Sequence, residues 1–255
     1  MAAQDGEMSF WDHLEVLRGT LFRSLGAIVL VSVVFMAIPT RLFQAVLWPS
    51  TPDFILYKWL GLDFGMELIN IEVSAQFFVH LKISFLMAVL VTFPYIVWEI
   101  WKFVAPALYR NEKKAVRKAF RMSSFLFYLG VAVGYFIVLP VCLMFFMNYT
   151  VSDAVRNTIS LNSYISMFVS MVFLIGLLFE FPTVVLVLSH LGLLTREQLR
   201  KGRKIAFVVI LILAALITPS DPFSMFVLSI PLYALYEFSI LMCKPETPSD
   251  DDIDQ

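Results

Sequence analysis

The sequence predicts an all-α integral membrane protein with six transmembrane helices and both termini in the cytoplasm. Three observations lead there. Of the 255 residues, 60% are apolar and 15% are charged, whereas a soluble domain has about 45–50% apolar and about 25% charged residues. The apolar residues gather into six runs of the length a bilayer demands, or close to it. The basic residues collect on alternate connections between those runs.

The runs are Thr20–Ile38, Ala75–Trp98, Met122–Tyr149, Tyr164–Leu188, Ile205–Ile217 and Phe223–Cys243. Each is expected to be helical, because lipid offers no partner for an unpaired backbone group. The alternation of a membrane β-barrel is absent. The fifth run has 13 residues, about 20 Å of helix against a hydrocarbon core about 30 Å thick. The turn that follows, Thr218-Pro219-Ser220-Asp221-Pro222, cannot continue a helix. The fifth and sixth helices are therefore expected to be short, forming a hairpin whose tip stops below the outer membrane surface. The loop Pro39–Ser74 holds Trp48, Phe54, Tyr57, Trp59 and Phe64, and is expected to form short helices lying on the outer interface. Residues 1–244 read as one membrane domain, and 245–255, with Asp250, Asp251, Asp252 and Asp254, as a disordered acidic tail. Asp5, Glu7, Asp12 and Glu15 argue against a cleaved signal peptide.

Charge sets the orientation. Fifteen of the 19 basic residues lie at the N-terminal end, around Lys102–Arg121, around Arg196–Lys204 and at Lys244. Three, Arg41, Lys58 and Arg156, lie on the other side, and Lys82 is inside a run. The positive-inside rule then puts both termini in the cytoplasm. A net charge of −1 gives no basis for nucleic-acid binding. Cys142 and Cys243 sit in apolar runs, and His13, His80 and His190 are far apart, so no metal or cofactor site is expected. No phosphate-binding loop, His-Glu-x-x-His or Gly-x-Ser-x-Gly is present, and no catalytic residue is assigned.

Glu180 is the most informative single residue. It lies inside the fourth run, before Pro182, where a carboxylate costs about 2.5–3.5 kcal/mol to insert. Such an acid faces a cavity or a polar partner. Lys82 and Glu237 lie near run ends, where their heads can reach the interface, and Glu99 between Trp98 and Trp101 reads as interfacial. Gly130 and Gly134 allow a neighbouring helix to approach closely. In the loop Trp98–Arg121, Trp101, Phe103, Pro106, Leu108 and Tyr109 form an apolar platform. Glu112 stands there among basic residues, an acid suited to receive a guanidinium through a two-point hydrogen-bonded pair.

Phe103-Val104-Ala105-Pro106-Ala107-Leu108-Tyr109-Arg110-Asn111-Glu112 resembles the first cytoplasmic loop of the TatC family, the multispan component of the twin-arginine protein translocase. His13-Leu14-Glu15-Val16-Leu17-Arg18 resembles the start of that family and Phe179-Glu180-Phe181-Pro182 its fourth-helix motif. Leu199-Arg200-Lys201-Gly202-Arg203 and Thr218-Pro219-Ser220-Asp221-Pro222-Phe223-Ser224 resemble its last loops. The resemblance implies a curved, concave helix wall and a receptor for the twin-arginine signal peptide of folded cargo. It implies signal-peptide contacts at Glu112, Phe103, Pro106 and Leu108, with Arg18, Leu14 and Leu17 beside them. It implies contacts with TatA-type and TatB-type single-span subunits through Glu180, Asp221, Met225 and Glu237, self-association in the receptor complex, and transport driven by the proton-motive force. Val16, Thr20 and Met225 depart from residues common in the family, namely Glu, Arg and Gln. On the residues alone, a proton-coupled secondary transporter using Glu180 is the alternative.

Overall fold

The computed structural model describes residues 10–105, 110–152, 157–218 and 221–243; the side chains of residues 10, 12, 13 and 110–115 lie outside that description. The elements in order are α1 (Phe10–Met36), α2 (Pro39–Leu47), α3 (Ile55–Leu60), β1 (Leu68–Ile69), α4 (Ala75–Val104), α5 (Arg110–Val133), α6 (Leu139–Asn148), β2 (Ile159–Ser160), α7 (Leu161–Val169), α8 (Ile175–Leu178), α9 (Phe181–His190), α10 (Arg196–Lys201), α11 (Arg203–Ile217) and α12 (Pro222–Met242). A π-helical turn, Gly134–Val138, joins α5 to α6, and another, Ser170–Leu174, joins α7 to α8. Among the described residues, five stretches are long and apolar enough to cross a membrane: Leu14–Met36, Ala75–Val104, Val116–Asn148, Leu161–His190 and Pro222–Met242. The 15 residues of α11 reach about 22 Å.

Several helices outrun their apolar runs. α1 begins at Phe10 rather than Thr20, and α5 at Arg110 rather than Met122. The added turns are polar, but Lys, Arg, Glu and Ala are good helix formers and need no lipid. α4 continues past Trp98 to Val104, and its cap residue Ala105 keeps helical dihedrals, its N–H donating to the Trp101 carbonyl. The fourth run differs more. Its helix is interrupted at Phe179 and Glu180, between α8 and α9. Pro182 has no N–H for the Leu178 carbonyl and sits in the first turn of α9, a position that tolerates proline.

Pro94 leaves the carbonyl of Leu90 without its helical donor, and the Tyr128 hydroxyl of α5 supplies one at 2.9 Å. Phe93 and Phe127 stack at 3.5 Å beside that bond, fixing α4 on α5. The glycines of α5 set the next contact. A Cβ at Gly130 would lie 2.9 Å from the Gly176 Cα, and one at Gly134 would lie 2.7 Å from the Met171 carbonyl oxygen. The two π-helical turns face each other at this approach.

The loop Pro39–Ser74 forms α2, the turn Trp48–Ser50 and α3, but its packing differs from a layer resting on the interface. Phe54 and Tyr57 are fully buried. Three tyrosine hydroxyls donate to backbone carbonyls here: Tyr57 to Pro49, Tyr164 to Val46 and Tyr135 to Ala45, at 2.8, 2.7 and 2.6 Å. A two-residue parallel pairing, Leu68 with Ile159 and Ile69 with Ser160, ties this cap to the start of α7. Burial holds the Tyr57 phenol well above the ordinary tyrosine range. The tail expected at 245–255, and Pro219 and Ser220 of the turn Thr218–Pro222, lie outside the described residues.

Candidate functional site

The face opposite the tyrosine cap gathers the end of α4, the start of α5, the end of α9, α10 and the end of α12. Trp101 is buried against Val116, with Val104, Ala105, Phe120 and Val187 around them. The Trp101 and Phe120 rings lie 5.2 Å apart, and the Arg117 guanidinium sits 5.8 Å above Trp101. This cluster clamps the end of α4 to the start of α5 and the end of α9. On the far side of the face, the Tyr236 hydroxyl donates to the Leu199 carbonyl at 2.6 Å, holding α10 on α12. Most basic residues of the chain lie on these elements, so it is the basic face.

Of the residues expected to meet a peptide, Phe103 is half-buried at the end of α4, one residue from the Trp101 cluster. Pro106, Leu108 and the side chain of Glu112 lie outside the described residues; the backbone of Glu112 is in the first turn of α5. Leu14, Leu17 and Arg18 line a shallow groove on α1 of about 350 Å³ with Leu21, Phe22 and Leu25. The Arg18 guanidinium lies 5.6 Å over the Phe22 ring.

Glu99 is the clearest correction to the sequence reading. Its side chain is 1% exposed and bridges two helices, accepting from Arg23 Nε of α1 at 2.8 Å and from Lys102 Nζ at 2.7 Å. Arg23 also donates to Thr20 Oγ1 at 3.4 Å. A residue flanked by tryptophans at a run end looks like a surface anchor. The packing of α1 along α4 buries it instead, and two cations neutralise it. Arg23, one turn into the first apolar run, was the available signal.

The four residues expected to form an intramembrane polar set have separate partners. Glu180, at the break between α8 and α9, accepts from the Ser123 hydroxyl of α5 at 2.6 Å. Its Oε1 is buried, and the Thr183 hydroxyl lies beside it without hydrogen-bond geometry. Asp221 caps α12, its Oδ1 accepting from the Ser224 N–H at 2.7 Å. Met225 packs partly buried on the apolar core. Glu237 accepts from Arg203 Nη2 of α11 at 2.8 Å, an ion pair rather than a head reaching freely for the interface. Lys82 likewise has a partner, donating to the Ser166 hydroxyl of α7 at 3.1 Å. Between α9, α10, α11 and α12 lies an apolar cavity of about 330 Å³, lined by Phe181, Leu199, Ala206, Leu232 and Tyr236 among others.

A family model described as Sec-independent protein translocase protein (TatC) matches residues 12–231. The Sec-independent protein translocase protein TatC of Blattabacterium sp. subsp. Periplaneta americana is 36% identical over 256 residues, covering 94% of this chain and 96% of that protein. The Escherichia coli K12 protein of the same name is 30% identical over 232 residues, covering 91% and 86%. A crystal structure of the twin-arginine translocase receptor TatC in DDM superposes with a TM-score of 0.78 at 32% identity, covering 91% of this chain and 100% of that one.

Proposed function

The chain belongs to the TatC family of Sec-independent protein translocase proteins, and from that premise we propose that its basic face is a twin-arginine signal-peptide receptor. It is a multi-pass membrane protein of protein transport. The observation that supports the finer reading is the clamp of α4, α5 and α9 around Trp101 and Val116, between Phe103 at the end of α4 and the first turn of α5 on the basic face. Glu112 pairs there with a cargo guanidinium, and Phe103, Pro106 and Leu108 receive the apolar part of the signal. Arg18, Leu14 and Leu17 on the first turns of α1 border the same site.

In this reading the protein spans the cytoplasmic membrane six times, α11 being the short fifth span, with the basic face and both termini in the cytoplasm. Residues 1–244 form the single membrane domain. TatA-type and TatB-type single-span subunits dock with help from Glu180, Asp221, Met225 and Glu237, copies of the chain associate with one another, and the proton-motive force drives transport. The chain acts as a receptor and scaffold without a catalytic centre. Relatives that are translocase proteins over nearly their whole length displace the secondary-transporter reading.

The test is binding of a labelled twin-arginine signal peptide to the purified protein in detergent, with a twin-lysine peptide as control. Arginine offers the planar fork that a carboxylate matches at two points, and lysine does not. The arginine peptide is expected to bind in preference, and Glu112→Ala to reduce that preference strongly. Equal binding of both peptides, or full preference in Glu112→Ala, refutes the assignment.

A further inference from the structure

A twin-arginine ligand brings two guanidinium groups, and one carboxylate satisfies one of them. The basic face holds a second carboxylate, Glu99, and its partner on α1 is itself an arginine. Arg23 Nε donates to Glu99 Oε2 at 2.8 Å, while Lys102 occupies Oε1 at 2.7 Å. Glu99 is 1% exposed but Arg23 is 53% exposed, so Arg23 lies on the outer side of the carboxylate, on the surface of the helix pair. Gly19, one turn earlier, leaves room beside this guanidinium: a Cβ there would lie 3.1 Å from Arg23 Nη1. Glu99 also precedes Phe103 by four residues, which places both on one side of α4, about 6 Å apart along its axis.

We propose that Glu99 accepts the second arginine of a twin-arginine signal peptide, and that Arg23 fills this acceptor in the cargo-free protein. The proposal rests on the receptor reading above. The exchange replaces one guanidinium by another, so the buried carboxylate is never left without a cation, the outcome that would make the exchange expensive. Lys102 keeps its oxygen throughout. The displaced Arg23 side chain is already 53% exposed, and its long stem lets the guanidinium swing toward the headgroup region as it leaves the carboxylate. A lysine in the cargo is a poor competitor, because its ammonium is a strongly hydrated point charge and must displace a planar donor already seated.

The experiment uses the full chain in detergent and four peptides carrying Arg-Arg, Arg-Lys, Lys-Arg or Lys-Lys at the twin position. Arg23→Gln removes the internal competitor and is expected to tighten Arg-Arg binding roughly tenfold. Glu99→Gln is expected to bind the Arg-Arg peptide no better than one of the two single-lysine peptides. Were the Arg23–Glu99 pair only a clamp between α1 and α4, Arg23→Gln would loosen the site and weaken binding. Weaker or unchanged binding by Arg23→Gln overturns the proposal even where Glu99→Gln fails to fold. Failure of the wild-type protein to prefer the Arg-Arg peptide overturns the receptor reading itself, and the proposal with it. Wild-type preference without the Arg23→Gln gain overturns the proposal alone.

Discussion

Replacing Gly134 with alanine tests the geometry that holds the centre of the bundle together. The added Cβ would stand 2.7 Å from the Met171 carbonyl oxygen and 3.1 Å from the Val172 Cα. Comfortable contacts between such atoms begin at about 3.5 Å. Both obstacles are backbone, and both belong to the π-helical turn Ser170–Leu174, so no side chain can rotate out of the way. The helices must part by most of an ångström, loosening the neighbouring contacts of Gly130 and Gly176. Overpacking of this kind costs about 1–3 kcal/mol, against up to about 1 kcal/mol gained from the better helix propensity of alanine. A net loss of about 1–2 kcal/mol is expected, a factor of roughly 5–30 in the folded-to-unfolded ratio. Gly26→Ala is the matched control: nothing lies within 4 Å of its added Cβ, so the propensity gain stands alone. Unfolding in mixed micelles with increasing denaturing detergent, followed by tryptophan fluorescence, measures both. Opposite signs are expected. Gly134→Ala at or above wild-type stability refutes the close-approach argument.

Trp101→Ala empties the clamp beside Val116 and Phe120, and is expected to cost about 3–5 kcal/mol in the same unfolding assay and to weaken peptide binding. Tyr57→Phe strands the Pro49 carbonyl in the cap, an expected loss of about 1–3 kcal/mol at neutral pH. Burial raises the Tyr57 phenol, so its contribution is full below the unfolded-state value of about 10 and declines as pH rises beyond it. The stability gap between wild type and Tyr57→Phe should therefore be constant from neutral pH to about 9 and close above about 10; a gap that widens there contradicts the assignment. Glu180→Gln keeps an oxygen for the Ser123 hydroxyl. It is expected to leave twin-arginine peptide binding unchanged and to reduce co-purification of single-span partners; undiminished co-purification and transport would make Glu180 a packing residue.

What the sequence by itself determined follows from one-dimensional physics. Runs of apolar residues must become helices in lipid, and their lengths and the basic residues between them carry the fold class, the short α11 and the grouping of basic residues on one face. The motif from Phe103 to Glu112 and the acid at Glu180 were legible because charge inside or beside apolar sequence is costly and therefore conspicuous. Where polar side chains find their partners was left to the tertiary structure. Glu99 looked like an interfacial anchor, and only the packing of α1 along α4 brought Arg23, 76 residues away, to its carboxylate. Tyr128 on the Leu90 carbonyl and Tyr164 on the Val46 carbonyl, 38 and 118 residues apart, repay backbone groups that no local pattern announces. The face-to-face approach of the π-helical turns likewise depends on where Gly130, Gly134 and Gly176 meet. Hydropathy is a sum over neighbours in sequence, whereas hydrogen bonds, ion pairs and close packing depend on neighbours in space.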